Sequence, residues 1–253
     1  MKSHWKFAWV MPLLLLARGA LALEVFACEP EWGALAQQLG GEQVEVFTAT
    51  TALQDPHRIE ARPSLIARLR QADLLVCTGA DLEAGWLPML LRKAGNARVQ
   101  PGKPGHFLAA EHVRLKDVPV RLDRAEGDVH AYGNPHIQTD PRNIAQVAAA
   151  LAQRFATLDA AHAAHYAERH TAFARDWTAA IARWEQRAAP LRNLPMVVQH
   201  TSWVYLADWL GLVEVVALEP KPGVPPSSGY LAEVLATLRA KPAKLVIRAA
   251  YQD

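Results

Sequence analysis

Hydrophobic positions in the first hundred residues follow two alternating periods. Segments rich in β-branched, aromatic and aliphatic residues predict strands at 23–28, 44–48 and 74–77, and only the third is an unbroken apolar run. Apolar residues that recur at three- and four-residue steps predict helices at 31–39, 63–70 and 86–94. Strands that alternate with helices at this spacing are typical of βαβ units, so we expect a mostly parallel sheet.

The middle of the chain breaks this alternation. Residues 96–135 are irregular and rich in Pro, Gly and His, with two short strands predicted at 107–109 and 113–115. After Pro190 a second βα pattern begins. It predicts strands at 196–199, 213–218 and 244–248 and helices at 202–210 and 230–240.

Two long helical patterns lie between these segments. The first is predicted from Pro141 to about 155, and the second, after a weak break near Asp159, from about 160 to 187. The second repeats aromatic and aliphatic residues on one face. A helix of some 28 residues would be roughly 40 Å long, the diameter of a small domain. We interpret it as a strut that joins two lobes.

The fold class predicted from these patterns is α/β, with two βα lobes of mostly parallel sheets joined by one long rigid helix. The predicted units are a signal peptide at 1–22, an N-terminal βα lobe at 23–140, a helical region with the linking helix at 141–190 and an incomplete C-terminal βα lobe at 191–253.

The N-terminus has the layout of a secretory signal peptide. Lys2 and Lys6 precede an apolar run from Phe7 to Leu16, and small residues at Ala20 and Ala22 suit a cleavage site. Removing this segment takes the formal net charge from +2 to −1, because it carries basic residues and no acids. A nucleic-acid partner is therefore not supported, and we expect an exported protein.

The two cysteines, Cys28 and Cys77, each end a predicted strand. If those strands are neighbours in a parallel sheet, a disulfide can form in an oxidising compartment. Two buried free thiols are the alternative that the sequence leaves open.

Three histidines share one kind of setting, at the end of a strand or on a stiff loop. His57 follows Asp55-Pro56, His200 ends an apolar run, and His136 follows Pro135, which holds the chain extended. Ligands of open α/β sheets bind at the carboxyl ends of strands, so all three could meet in one cleft. Neutral imidazole is a preferred zinc ligand, and we favour a metal site over three unrelated loop histidines.

Other histidines fit a metal site less well. His162, His165 and His170 lie in a polar stretch of the long helix, which favours a solvated helix surface. His130 lies six residues before His136 and is expected to flank the site without being a ligand. Motifs of common hydrolases and nucleotide-binding proteins are absent from the sequence. An exported zinc hydrolase remains an alternative, with Glu60 or Asp55 as general base.

The order of short motifs along the chain resembles the metal-binding receptors of ABC uptake systems, in particular the periplasmic zinc branch of the zinc and manganese family. The motifs are Trp32-Gly33-Ala34-Leu35-Ala36, Gln54-Asp55-Pro56-His57, Gly79-Ala80-Asp81-Leu82-Glu83, Gly133-Asn134-Pro135-His136 with Asp140-Pro141, His200 with Trp203 and Tyr205, and Lys221-Pro222-Gly223. Each motif alone is weak, but their shared order covers nearly all of residues 24–253.

The resemblance implies a metal cleft between the lobes, with His57, His136 and His200 as ligands. It implies Zn²⁺ as the transported ligand, with Mn²⁺ less expected, because manganese prefers oxygen ligands. It further implies a periplasmic monomer that is not an enzyme and delivers zinc to the membrane permease of an ABC importer.

The sequence departs from this family in two ways. The His- and acid-rich loop of many zinc receptors is not found at 110–132, and the chain ends at Asp253, before the segment from which relatives often take an aspartate ligand. The expected site therefore has three histidines plus water or a nearby carboxylate. A truncated pseudo-receptor or adhesin without competent metal binding is the remaining alternative.

Overall fold

The computed structural model describes residues 22–121, 125 and 127–252. All of the predicted signal peptide except Ala22 lies outside the described residues. Within the described part of the chain, no helix is long and apolar enough to cross a bilayer.

The first sheet has four parallel strands in the order β2-β1-β3-β4. They are β1 (Leu23–Ala27), β2 (Val44–Thr48), β3 (Leu74–Cys77) and β4 (His106–Leu108). Every residue of β3 is buried, which explains why this strand is an unbroken apolar run and not an alternating one. The predicted βα order and parallel sheet are confirmed.

Helices cover both faces of this sheet. The helices of this half are α1 (Pro30–Gly40), α2 (Pro63–Gln71), α3 (Leu87–Ala94), α4 (Pro141–Leu158) and α5 (Ala163–Ala188). Val25 and Val76 belong to the core with α1 and α4, whereas Phe26 and Leu75 belong to the core with α2 and α3. Successive strand residues point to opposite faces, so one short strand supplies both cores.

The second sheet is smaller and also parallel, in the order β6-β5-β7. Its strands are β5 (Pro195–Val198), β6 (Val213–Ala217) and β7 (Leu245–Ile247), and its helices are α6 (Val204–Leu210) and α7 (Ser228–Ala240). A single residue of α7, Val234, is buried, so this half has much less core than the first.

The long helix α5 packs along α4 and α1 before the chain enters the second sheet. The predicted break near Asp159 is confirmed, since a 3-10 turn at Ala160–His162 separates α4 from α5. Asp159 accepts hydrogen bonds there from the Tyr166 hydroxyl, at 2.8 Å, and from the His162 ring, at 2.7 Å.

The structure contains one of the two short strands that are predicted in the irregular middle of the chain. The predicted strand at 107–109 is present as β4, but the one predicted at 113–115 is wrong. That segment leads instead to Lys116, whose carbonyl accepts a hydrogen bond from the Asn134 amide at 2.8 Å. The backbone there bonds to a loop and not to a neighbouring strand.

The two cysteines form a disulfide, with a Cα–Cα distance of 4.8 Å. They are adjacent because β1 and β3 are parallel neighbours that end at the same edge of the sheet. The bond therefore ties together the two central strands of the first half at their carboxyl ends.

Candidate metal centre

The structure brings His57, His136 and His200 together at the carboxyl edges of the two sheets. Their ligand nitrogens all lie within 4.8 Å of one another. The side chain of His57 is 11% exposed, and His136 and His200 are buried. These are the three histidines that the sequence singled out.

His57 is held by the loop between β2 and α2. The Trp86 indole donates a hydrogen bond to the Pro56 carbonyl at 2.9 Å, which fixes the residue before His57 to the start of α3. His200 lies two residues after the end of β5 and directly before the 3-10 turn at Thr201–Trp203 that leads into α6.

His136 is held by bonds between the two halves of the molecule. The Asn134 side chain accepts a hydrogen bond from the His136 amide at 3.1 Å and donates one to the Thr201 carbonyl at 2.8 Å. The Tyr205 hydroxyl donates to the Asn134 carbonyl at 2.6 Å and accepts from the Lys116 amide at 3.0 Å. Position 136 is therefore rigidly tied to the residues that follow His200.

The helix start after His136 is capped as the sequence indicates. The Asp140 carboxylate accepts from the Arg142 amide at 2.8 Å, and Pro141 occupies the first helical turn. The loop that carries His136 is thus braced by α4 on one side and by Tyr205 on the other.

The spacing of the three rings matches what one tetrahedral ion requires. The ring centroids are separated by 5.4 Å for His57 and His136, 5.7 Å for His57 and His200, and 5.3 Å for His136 and His200. Imidazoles at zinc–nitrogen distances of about 2.0–2.1 Å, arranged tetrahedrally, would have centroids roughly 5.2 Å apart. The observed triangle is within about half an ångström of that figure.

Two carboxylates orient two of the rings. Asp55 lies 2.7 Å from the Nδ1 atom of His57, and Glu219 lies 2.7 Å from the Nδ1 atom of His200. A hydrogen bond to a carboxylate oxygen favours the tautomer of a neutral imidazole in which Nδ1 carries the proton and Nε2 keeps the lone pair. This carboxylate–histidine arrangement is the usual support of a histidine metal ligand.

Asp55 and Glu219 differ in how visible they are in the sequence. Asp55 is two residues from His57, and the sequence indicates it only as a possible general base. Glu219 is 19 residues from His200, at the start of the Pro- and Gly-rich loop after β6, and nothing in the local sequence indicates this pairing. Burial alone would raise the pKa of Asp55, but the His57 hydrogen bond and charge lower it below its usual value.

The environment keeps the buried imidazole of His136 neutral. Burial lowers its pKa well below the ordinary value, and the neighbouring rings of His57, His200 and His130 lower it further. The Nε2 atoms of His57 and His136 are buried and have no hydrogen-bond partner in the structure. Buried polar atoms are normally paired, so unpartnered lone pairs that face one another point to a bound cation.

His130 lies closer to this cluster than its place in the sequence suggests. Its ring stacks on His57 at 5.3 Å between centroids and lies 6.4 Å from His136. Its Nε2 atom is also buried without a partner. Burial, and then the charge of His57, lowers the pKa of His130 to about 4. The expectation that His130 flanks the site agrees with this position.

A cavity of about 480 Å³ opens onto the cluster, and its walls include Asp55, His200, Glu219 and Tyr251. Burial raises the pKa of the Tyr251 phenol above its usual range, and the carboxylates of Asp55 and Glu219 raise it further. The phenol therefore stays protonated in the physiological range and offers this wall a hydroxyl rather than an anion.

The histidines at the start of α5 are engaged in hydrogen bonds away from the cluster. His162 is paired with Asp159, and the Nε2 atom of His165 lies 3.0 Å from the Gly40 carbonyl. Both are half-buried packing residues, which corrects the expectation of a purely solvated surface. One further group of possible ligands in the described part of the chain, Cys28, Cys77 and Glu83, has its two sulfurs joined to each other.

Comparison with known proteins gives one family. The family model described as zinc-uptake complex component A, periplasmic (ZnuA), matches residues 25–253. Among curated proteins, the chain is similar to the high-affinity zinc uptake system protein ZnuA of Paracoccus denitrificans (strain Pd 1222). Identity is 24% over 235 residues, covering 80% of this chain and 68% of the relative.

A second relative is shorter in its match and differs in the metal named. The manganese ABC transporter substrate-binding lipoprotein PsaA of Streptococcus anginosus is 25% identical over 112 residues, which cover 44% of this chain. The matched stretch spans 36% of that relative's length. A crystal structure of ZnuA has the same fold, with a TM-score of 0.75 and 23% identity, covering 92% of this chain and 84% of that one.

Proposed function

The chain belongs to the family of periplasmic zinc-uptake complex component A proteins, and we propose that it captures one Zn²⁺ ion for an ABC importer. The family consists of substrate-binding components of transporters and not of enzymes. In this proposal His57, His136 and His200 bind the ion through Nε2, and the cleft between the two sheets is the binding site.

The observation that carries this proposal is the triangle of three largely buried imidazoles, two of which, His57 and His136, have buried Nε2 atoms without a hydrogen-bond partner. Centroid separations of 5.3–5.7 Å suit one tetrahedral ion. Because the Nδ1 protons of His57 and His200 are held by carboxylates, zinc binding requires no change of tautomer at those two rings.

The choice of zinc over manganese follows from the donor atoms. All three ligands are imidazole nitrogens, which suit zinc, whereas manganese prefers carboxylate, carbonyl and water oxygens. The two nearest carboxylates, Asp55 and Glu219, are engaged by histidine Nδ1 protons and not directed to a metal as free ligands. We therefore expect zinc to bind tightly and manganese weakly.

The hydrolase alternative is less well supported. A zinc hydrolase needs a general base beside the metal-bound water. Of the two candidates, Asp55 is bonded to His57 and Glu60 is exposed on the surface. Membership of a transport family also counts against this alternative.

The cellular context is part of the same proposal. We propose that residues 1–22 direct export and are removed, and that the receptor works as a periplasmic monomer with a membrane permease as its partner. Mass spectrometry of the exported protein would test the cleavage site, with a mature N-terminus at Leu23 as the expected result.

Metal titration tests the function directly. Metal-free protein beginning at Leu23 is titrated with zinc, and separately with manganese, against a chromophoric chelator. We expect one tight zinc equivalent, weak manganese binding, and loss of tight zinc binding in His136→Ala. His170→Ala, on helix α5, is the matched histidine control and should bind as the parent does.

The result that would overturn the proposal is equally specific. If the parent is folded by circular dichroism but binds zinc weakly or without stoichiometry, this chain is not a competent receptor. Equal zinc binding by the parent and His136→Ala would show that the histidine cluster is not the site.

A further inference from the structure

The three-histidine site leaves one tetrahedral position to be filled. Zinc sites in proteins are almost always four-coordinate: structural sites are closed by a fourth protein donor, whereas catalytic sites keep that position for water. Two nearby carboxylates, Asp55 and Glu219, already hold the Nδ1 protons of His57 and His200. The phenol of Tyr251 stays protonated. None of these three groups is a free donor for the fourth position.

His130 lies beside the cluster and has the free atom that a fourth ligand needs. Its centroid is 5.3 Å from that of His57, close to the roughly 5.2 Å expected for two imidazoles on one zinc ion. Its 6.4 Å distance from His136 is about 1 Å too long. Its Nε2 atom is buried and has no partner in the structure. His130 lies outside the group of three whose ligand nitrogens are within 4.8 Å of one another, so its ring has to move toward the cluster before this atom can reach an ion held by the other three.

The backbone around His130 is anchored to both halves of the molecule. The Ala131 amide donates to the Asp81 carboxylate at 3.2 Å, which ties it to the turn after β3. The Asp128 amide donates to the Pro222 carbonyl at 2.9 Å, and the Asp128 side chain lies 3.5 Å from Arg58. These bonds hold the segment against the histidine cluster, so little conformational freedom is lost when the ring binds metal.

The turn that supplies Asp81 is shaped for this contact. Ala80 and Asp81 both have positive φ, at 49° and 67°, which is uncommon for residues other than glycine. Such a backbone is retained only where surrounding structure favours it. Here it places the Asp81 carboxylate against the segment that carries His130.

We propose that His130 is the fourth zinc ligand of this receptor and makes the loaded site an all-imidazole one. The inference rests on the proposed function, since it concerns the same ion at the same site. A fourth nitrogen in place of water or a carboxylate increases the preference for zinc over manganese, which favours oxygen ligands. His130 is thus a specificity-determining residue of the site.

The test compares His130→Ala and His130→Gln with the parent, using zinc, manganese and cobalt ions as probes. Tyr132→Ala is the control, because Tyr132 lies on the same segment with its side chain largely exposed. Zinc affinity is measured by chelator competition. Bound Co²⁺ is monitored by its visible absorption, which depends on the number and type of ligands.

Loss of His130 is expected to weaken zinc at least about tenfold, the lower figure for removing even an indirect support of a metal ligand. Manganese affinity should change much less, so the ratio of the two affinities should fall. The cobalt spectrum should shift in both variants and stay unchanged in Tyr132→Ala. The glutamine variant retains a polar side chain and checks against loss of folding.

Two different failures can be distinguished. If both His130 variants bind zinc as the parent does and keep its cobalt spectrum, the fourth-ligand inference is wrong while the receptor proposal stands. If the parent itself lacks a tight zinc site, or His136→Ala retains it, the receptor proposal fails and this inference fails with it.

Discussion

At the scale of single residues, the site depends on which nitrogen of each histidine carries a proton. His57 and His200 each direct Nε2 toward the cluster because a carboxylate accepts a hydrogen bond from Nδ1. The Glu219 carboxylate also accepts a hydrogen bond from the Gly223 amide at 2.8 Å, and this bond holds the loop that borders the cavity. A negatively charged acceptor also makes the histidine a better donor to the metal.

Replacing Glu219 by glutamine tests this support. The Glu219→Gln variant keeps the size and an acceptor oxygen but loses the charge, so zinc affinity should fall about 10- to 100-fold without unfolding. Glu233→Gln, an exposed substitution on α7, is the matched control. Chelator competition gives the affinities. Equal affinities in parent and Glu219→Gln would mean that the carboxylate does not tune the site.

At the scale of elements, the position of His136 depends on a bond network and not on its own loop. Tyr205 on α6 bridges the Asn134 carbonyl and the Lys116 amide, and the hydroxyl is buried between them. The Trp177 indole on α5 donates to the Pro141 carbonyl at 2.8 Å, which fixes the start of α4. Elements from both halves of the chain thus hold His136, one of the three proposed ligands.

The Tyr205→Phe substitution should loosen this network. Removing the hydroxyl leaves the buried Asn134 carbonyl and the partly buried Lys116 amide without this partner, at a cost of about 1–3 kcal/mol in the free energy of unfolding. Zinc affinity should fall modestly, because the His136 loop gains freedom. Urea unfolding and chelator competition measure the two effects. Tyr132→Phe is the control at an exposed tyrosine, and a parent-like Tyr205→Phe would show that the network is not needed.

At the scale of the whole molecule, two buried carboxyl groups beside the disulfide-bonded ends of β1 and β3 make the stability of the fold depend on pH. Glu29 and Glu83 are both 2% exposed. The Thr78 hydroxyl donates to Glu29 at 3.2 Å, and the Thr78 amide donates to Glu83 at 2.7 Å. Burial raises the pKa of Glu83 from 4.5 to about 7 and raises that of Glu29 well above its usual value.

This pair predicts how stability changes with pH. Between pH 4.5 and 7 the unfolded chain releases the Glu83 proton while the folded protein keeps it, so stability falls as pH rises through that range. The loss is on the order of 3 kcal/mol, since each pKa unit is worth about 1.4 kcal/mol. The buried His136 has the opposite effect on stability. Its pKa is lowered in the folded protein, so the unfolded chain binds the proton more readily and stability rises with pH through this group.

The Glu83→Gln variant separates the contribution of Glu83 to the pH dependence of stability from that of the buried histidines. The amide keeps an acceptor for the Thr78 amide but cannot ionise, so its stability should not fall between pH 5 and 8 through this group. Urea unfolding of metal-free parent and variant across that range gives the difference between them, which should grow with pH in favour of the variant. Parallel curves would contradict the assignment to Glu83.

Local sequence patterns determined the positions of several strands and helices and the choice of the three candidate histidines. The strands β2 and β3 have the predicted bounds, and Asp140-Pro141 begins α4 as expected. β3 is distinctive because it is a short apolar run buried on both faces. The three site histidines were recognisable because each lies where a strand or a stiff loop ends. These signals depend on neighbours in sequence, which determine backbone conformation and burial.

Only the tertiary structure decided which distant groups meet. The partnership of Glu219 with His200, the place of His130 beside His57, and the bond between Cys28 and Cys77 join residues far apart in the chain. The strand predicted at 113–115 was wrong for a related reason, since the chain there bonds to a loop. Such contacts are set by the packing of whole elements, and sequence spacing alone does not encode them.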